Sequence, residues 1–267
     1  MIELAPNHKR GLSLRNPVMN ASGILGFADE YRGLLDFDRL GAFVTNALTR
    51  TPRTPAHSPN ALSLPNGLLI HTGLPNPGVP AALRRYAKDW EQLGPPVIVH
   101  LAATSPMDVE RSVAQLERAD GVSGIELGFM DHISAEEVAR LIRAACGGPP
   151  LIARLPLARA TDWCEVAARA GADALTLGAP PRLSVQGNDQ AVTGRLYSPD
   201  NFPLALEAVR TVSAKGLGLP LIAAGGIYSL ANAREMLGLG AMAVQVDGAV
   251  WSDPGWLNRL AAELSAA

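Results

Sequence analysis

Eight short apolar runs recur along the chain: NPVMNAS from residue 16, GAFVTNAL from 41, PVIVHLA from 96, GIELGF from 124, PLIARLP from 150, ALTLGA from 174, PLIAAGG from 220 and AVQVDGA from 243. Most are nearly continuous in apolar residues, as parallel strands covered on both faces must be. Segments rich in Ala, Leu, Arg and Glu lie between them, so the order reads as alternating strand and helix. Three Gly-Ala steps, at RLGAFVT, RAGADALTL and GLGAMAVQV, mark helix ends where glycine allows a left-handed stop. Eight such units in 267 residues predict one α/β domain over residues 1–267, a (β/α)8 TIM barrel rather than an open sheet. Residues 50–80 break the pattern. Proline-rich and without helical period, they are expected to form a hairpin or loop over the barrel mouth.

Composition narrows the partners. A formal net charge of −2 offers no broad attraction for nucleic acid or for anionic membranes. No apolar run suits a signal peptide or a membrane span, which predicts a cytoplasmic protein acting on a small molecule. Cys146 and Cys164 lie in alanine-rich surroundings without a metal-ligand pattern, so they read as structural thiols, and no metal site is expected.

In a barrel, reacting groups project from the C-terminal ends of the strands. Those positions hold Asn20, Ser22, Thr45, Asn46, His100, Glu126, Asp131, His132, Arg154, Gly225, Gly226, Asp247 and Gly248. Gly225-Gly226 ends one strand and opens a helix, where bare backbone amides approach a phosphate, or simply make a tight turn. Asp131 beside His132 offers an acid/base pair. Against that, Ser134 followed by Glu137 is a capping box that puts both residues in the loop before a helix. Glu126 interrupts an apolar strand, and Arg154 is its expected ion-pair partner, with cofactor contact as the other role open to the arginine.

The segments NPVMNASGILGFADEY, LGAFVTNALTRTPR, GLPNPGV, GADALTL, TGRLYSPDNFPLAL, AAGGIYSLANAREML and GAMAVQVDGA, in this order across nearly the whole chain, resemble the class 1 dihydroorotate dehydrogenases. That family uses FMN to oxidise dihydroorotate. The resemblance implies an FMN oxidoreductase of pyrimidine metabolism, with Ala21, Ser22 and Gly23 beside the flavin ring, and with Asn46, His100 and Arg154 lining the site. It also implies that Gly225-Gly226 and Gly248-Ala249 form the phosphate turns.

The departures from the family pattern are specific. Asn46 stands where the family has lysine, Arg154 stands for a second lysine, and Asp247-Gly248 replaces a Gly-Thr or Gly-Ser step, setting a carboxylate beside a phosphate dianion. Gly128, Ile133, Ile70 and Ala179 replace asparagines that hold orotate, and Asp131 falls near the cysteine base. Two readings follow. One is a flavin oxidoreductase with a non-orotate substrate, in which His71, His100 or His132 moves a proton and Asp131, His132 and Arg154 are the catalytic candidates. The other is a barrel that has lost FMN and serves as a structural or regulatory subunit. In either case a homo-oligomer, or a hetero-oligomer with a paralogue, is expected.

Overall fold

The computed structural model describes residues 1–58, 60–187 and 191–265. All eight apolar runs become strands: β1 Val18–Asn20, β2 Phe43–Val44, β3 Val97–Ala102, β4 Gly124–Gly128, β5 Leu151–Pro156, β6 Ala174–Ala179, β7 Leu221–Ala224 and β8 Ala243–Val246. They form one parallel sheet in the order β1-β8-β7-β6-β5-β4-β3-β2. A single parallel bridge from Met19 to Ala42 brings its two edges together, so the expected TIM barrel is present. At this seam the Asn20 side chain replaces the ladder, accepting from Val44 N at 3.0 Å and donating to Val44 O at 2.6 Å.

The helices are α1 Val79–Gln92, α2 Pro106–Leu116, α3 Ala135–Ala145, α4 Ala160–Ala170, α5 Phe202–Ala214, α6 Leu230–Gly238, the short α7 Ala249–Ser252 and α8 Trp256–Ser265. Strand-to-helix alternation fails once. Between β1 and β2 the described helical structure is the 3-10 turn Phe37–Arg39, and α8 packs on β1 from the far end of the chain. Of the three Gly-Ala stops, Gly171 and Gly240 have φ of 106° and 103°, the expected left-handed geometry. Gly41 serves another need: a Cβ there would lie 2.1 Å from the Asn16 carbonyl oxygen, so glycine lets the chain pass the β1 approach.

Two apolar layers hold the barrel. Between sheet and helices, residues such as Phe43, Trp90, Trp163 and Val209 are buried. Inside, Met19, Val44, Ile98, Ile152 and Ile222 make a floor plugged by Leu4, Leu12 and Leu14. The plug is an N-terminal hairpin in which Ile2–Glu3 pairs with Ser13–Leu14. Burying each of these large side chains contributes roughly 1.5–3 kcal/mol, which is why the bottom of the barrel is dry and the polar residues collect above it.

Residues 61–64 and 67–70 form the hairpin expected over the mouth. It is half of a larger lid. Arg182–Gln186 and Ala191–Tyr197 form a second hairpin after β6, and the four strands pair as one antiparallel sheet through Leu196 opposite Leu69.

Candidate active site at the barrel mouth

Strand register decides what meets above the floor. His100 on β3 lies opposite Glu126 on β4, and Arg154 on β5 opposite Thr176 on β6. With period-two alternation these side chains enter the barrel in one layer, joined by Gln245 from β8. Glu126 is the hub and has no exposed surface. Its Oε2 lies 3.2 Å from His100 Nδ1 and 3.6 Å from Arg154 Nη1. Its Oε1 accepts from Gln245 Nε2 at 2.7 Å and Thr176 Oγ1 at 3.4 Å. Burial alone would raise this carboxyl's pKa. The Arg154 guanidinium and the hydrogen bonds from His100 and Gln245 outweigh it and hold the group at about 2, so Glu126 is an anion. The ion pair expected between Glu126 and Arg154 is therefore formed.

His100 is oriented by this anion. With a proton on Nδ1 facing Glu126, Nε2 is the free ring nitrogen, and it points toward Gly128 at the end of β4. A Cβ on residue 128 would stand 2.7 Å from that Nε2. Glycine at 128 and the histidine ring thus fit one another: the ring occupies the volume that a side chain at 128 would need.

Around this layer the strand ends carry the other expected site residues. Ala21 and Ser22 are buried after β1 and Gly23 is exposed, with Ala21 N donating to Val246 O at 2.8 Å. Asn46 follows β2, its Oδ1 buried without a partner. Gly225 and Gly226 are buried after β7 with positive φ, and a Cβ on Gly226 would be 2.3 Å from Phe202 N. Gly248 and Ala249 follow β8, roofed by two tyrosines: a Cβ on Gly248 would meet Tyr228 Oη at 2.6 Å and Tyr197 Cβ at 3.2 Å.

Asp131 and His132 are placed apart. Ser134 caps α3 by accepting from Glu137 N, which leaves both residues in the preceding loop. Asp131 turns to the second lid hairpin, where Arg195 grips it in a two-pronged pair at 2.9 and 3.0 Å while also donating to Pro180 O at 2.7 Å. His132 and His71 are exposed. Cys146 and Cys164 are free thiols away from this layer, and burial raises the pKa of both, which keeps them protonated. Two clefts of about 160 and 400 Å³ lie on the outer wall, beside Phe37 and beside α3, and neither meets a strand end.

Sequence reading missed Thr176, Gln245, Arg195, Tyr197 and Tyr228. Gln245 and Thr176 did carry a signal, because each is a polar residue inside an otherwise apolar strand run, as Glu126 is.

Fold and site together define a closed α/β barrel of the class that handles small molecules at its C-terminal mouth, with a polar layer just beneath. The family model for dihydroorotate dehydrogenase matches residues 7–128. Dihydroorotate dehydrogenase B (NAD(+)), catalytic subunit, of Citrifermentans bemidjiense is 33% identical, with 95% of this chain and 90% of that protein covered. The protein of the same name from Geotalea daltonii is 32% identical, with 94% and 89% covered. Among solved structures, dihydroorotate dehydrogenase from Eimeria tenella in complex with ferulenol superposes with a TM-score of 0.76 at 15% identity, covering 96% of this chain and 82% of that one, a likeness of fold. The chain belongs to the dihydroorotate dehydrogenase family. Among the described residues, no helix is long and apolar enough to cross a membrane.

Proposed function

We propose that the chain is a flavin-dependent oxidoreductase whose substrate is not dihydroorotate. The observation that carries the reading is the Glu126–His100–Gly128 arrangement beside Arg154, which holds a fixed cation and a steered imidazole nitrogen under the mouth. The residues present suit a flavin ring and its sugar chain. Asn46 Oδ1 and Gln245 Oε1 are buried acceptors without partners, and a flavin brings donors in its imide N–H and ribityl hydroxyls. Ala21, Ser22, Gly23 and Asn46 would hold the ring. A flavin bound there would accept the hydride or electrons removed from substrate.

The chain's own groups supply the rest. Arg154, kept in place by ionised Glu126, stabilises negative charge developing at the mouth. His100 Nε2 gives or takes the substrate proton, since Nδ1 is committed to Glu126 and a side chain at 128 is missing. The lid, pinned by Asp131–Arg195, excludes water above. The positions that would bind orotate's polar edge are altered or committed: Gly128 has no side chain, Ala179 and Ile70 are apolar, and Asp131 is paired. Dihydroorotate would leave its hydrogen bonds unmade, a heavy loss in discrimination.

Two measurements test this reading. Purified protein titrated with flavin should quench flavin fluorescence saturably, and dihydroorotate with an artificial acceptor should give no orotate above background. Turnover on the order of 1 per second would overturn the substrate claim. Failure to bind flavin would favour the non-catalytic barrel.

A further inference from the structure

We propose that the β7–β8 end of the mouth selects a flavin without a phosphate, riboflavin or a related polyol-bearing flavin, over FMN, because Asp247 supplies internally the anion that a phosphate turn takes from its ligand. The proposal rests on the flavin reading above. In barrels, the loops after the seventh and eighth strands offer backbone amides to a phosphate. Here the amide of Gly248 is already spent, donating to Asp247 Oδ1 at 2.7 Å. The carboxylate sits inside the turn at 1% exposure, and its Oδ2 is buried without a partner. An unpaired acceptor oxygen in that position calls for a donor such as a sugar hydroxyl and repels a dianion that has acceptors alone.

The surroundings give the carboxylate no way out. Gly248 is roofed by Tyr228 and Tyr197, and Gly226 is backed by Phe202 N at 2.3 Å from its missing Cβ, so neither turn can retreat to seat a larger group. The charged and titratable groups acting on Asp247 are Arg154, already paired with Glu126, and the two tyrosines. Burial raises the pKa of both phenols, Tyr228 to about 12, so they stay neutral. Burial raises Asp247 to about 6, which leaves it ionised at pH 8. A carboxylate about 5 Å from one phosphate charge, at an effective dielectric near 20, weakens binding by about a hundredfold.

The test is a fluorescence titration of the purified full chain and of Asp247→Asn with riboflavin and with FMN at pH 8. Asparagine keeps the shape and the acceptor for Gly248 N while removing the charge, and a melting curve checks its fold. Wild type should bind riboflavin at least about tenfold tighter than FMN, and the substitution should close that gap by about tenfold to a hundredfold. Equal or tighter FMN binding by wild type, or an unchanged ratio in Asp247→Asn, overturns the selectivity and leaves the flavin reading standing. Should neither flavin bind either protein, the flavin reading falls and the proposal with it.

Discussion

Glu126 and Asp247 are both buried carboxyls of the same barrel, and their environments push them in opposite directions. Glu126 is held at about 2, below its ordinary 4.5, so its stabilisation is complete above pH 4.5 and drains away as pH falls toward 2. A shift of this size is worth roughly 3 kcal/mol. Thermal melts should therefore fall steeply between pH 4.5 and 2, and Glu126→Gln should flatten that slope while lowering the melting temperature at pH 7. Asp247 is raised from 3.8 to about 6, and the sign reverses: folding favours its protonated form, so stability is lost as pH rises from 3.8 through 6. Asp247→Asn should raise the melting temperature at pH 8 by an amount equivalent to roughly 1–3 kcal/mol and change little at pH 4. The Glu126–Arg154 pair was legible in the sequence because a charge in an apolar strand needs a partner. The role of His100 was less so, because its orientation depends on the cross-strand register with Glu126 and on the missing side chain at Gly128, neither of which shows in a linear run.

At the scale of elements, the lid is where sequence and structure diverge. The first hairpin announced itself through proline and the lack of helical period. The second, Arg182–Gln186 with Ala191–Tyr197, is mostly exposed in its first strand and carries no continuous apolar signal, so its pairing with residues 67–70 came from tertiary structure alone. The Asp131–Arg195 pair joins this hairpin to the loop before α3. Its side chains are 30% and 24% exposed, so the pair adds about 1 kcal/mol or less to global stability. Its effect is local. Arg195→Ala should leave the melting temperature nearly unchanged and speed amide exchange in residues 191–197 and 128–134, read by mass spectrometry. Equal exchange in both proteins would show that the strand pairing, not the ion pair, holds the lid.

For the whole molecule, the eight-fold alternation was legible because each parallel strand is apolar on both faces, a signal that needs no knowledge of neighbours. The floor was not, since the N-terminal hairpin that plugs it has two-residue strands too short to show a period. That plug is energetically large. Leu14 is fully buried among Met19, Ile98 and Ile222, and Leu14→Ala should cost about 2–5 kcal/mol in urea unfolding while leaving flavin affinity at the opposite end unchanged.

The ring of strands is closed at one place by one backbone bridge and a single amide side chain. Every other junction is a ladder of backbone bonds, whereas β1 and β2 are held by the Met19–Ala42 bridge and by Asn20 reaching to Val44. A ladder opens residue by residue. A clasp opens at once, and a barrel with one clasp has a fixed address for breathing. Amide exchange read by mass spectrometry should therefore begin along this seam, beside the Ala21–Gly23 and Asn46 rims where the proposed flavin would sit, and exchange no faster there than at the other strand junctions would show that the clasp is as firm as a ladder.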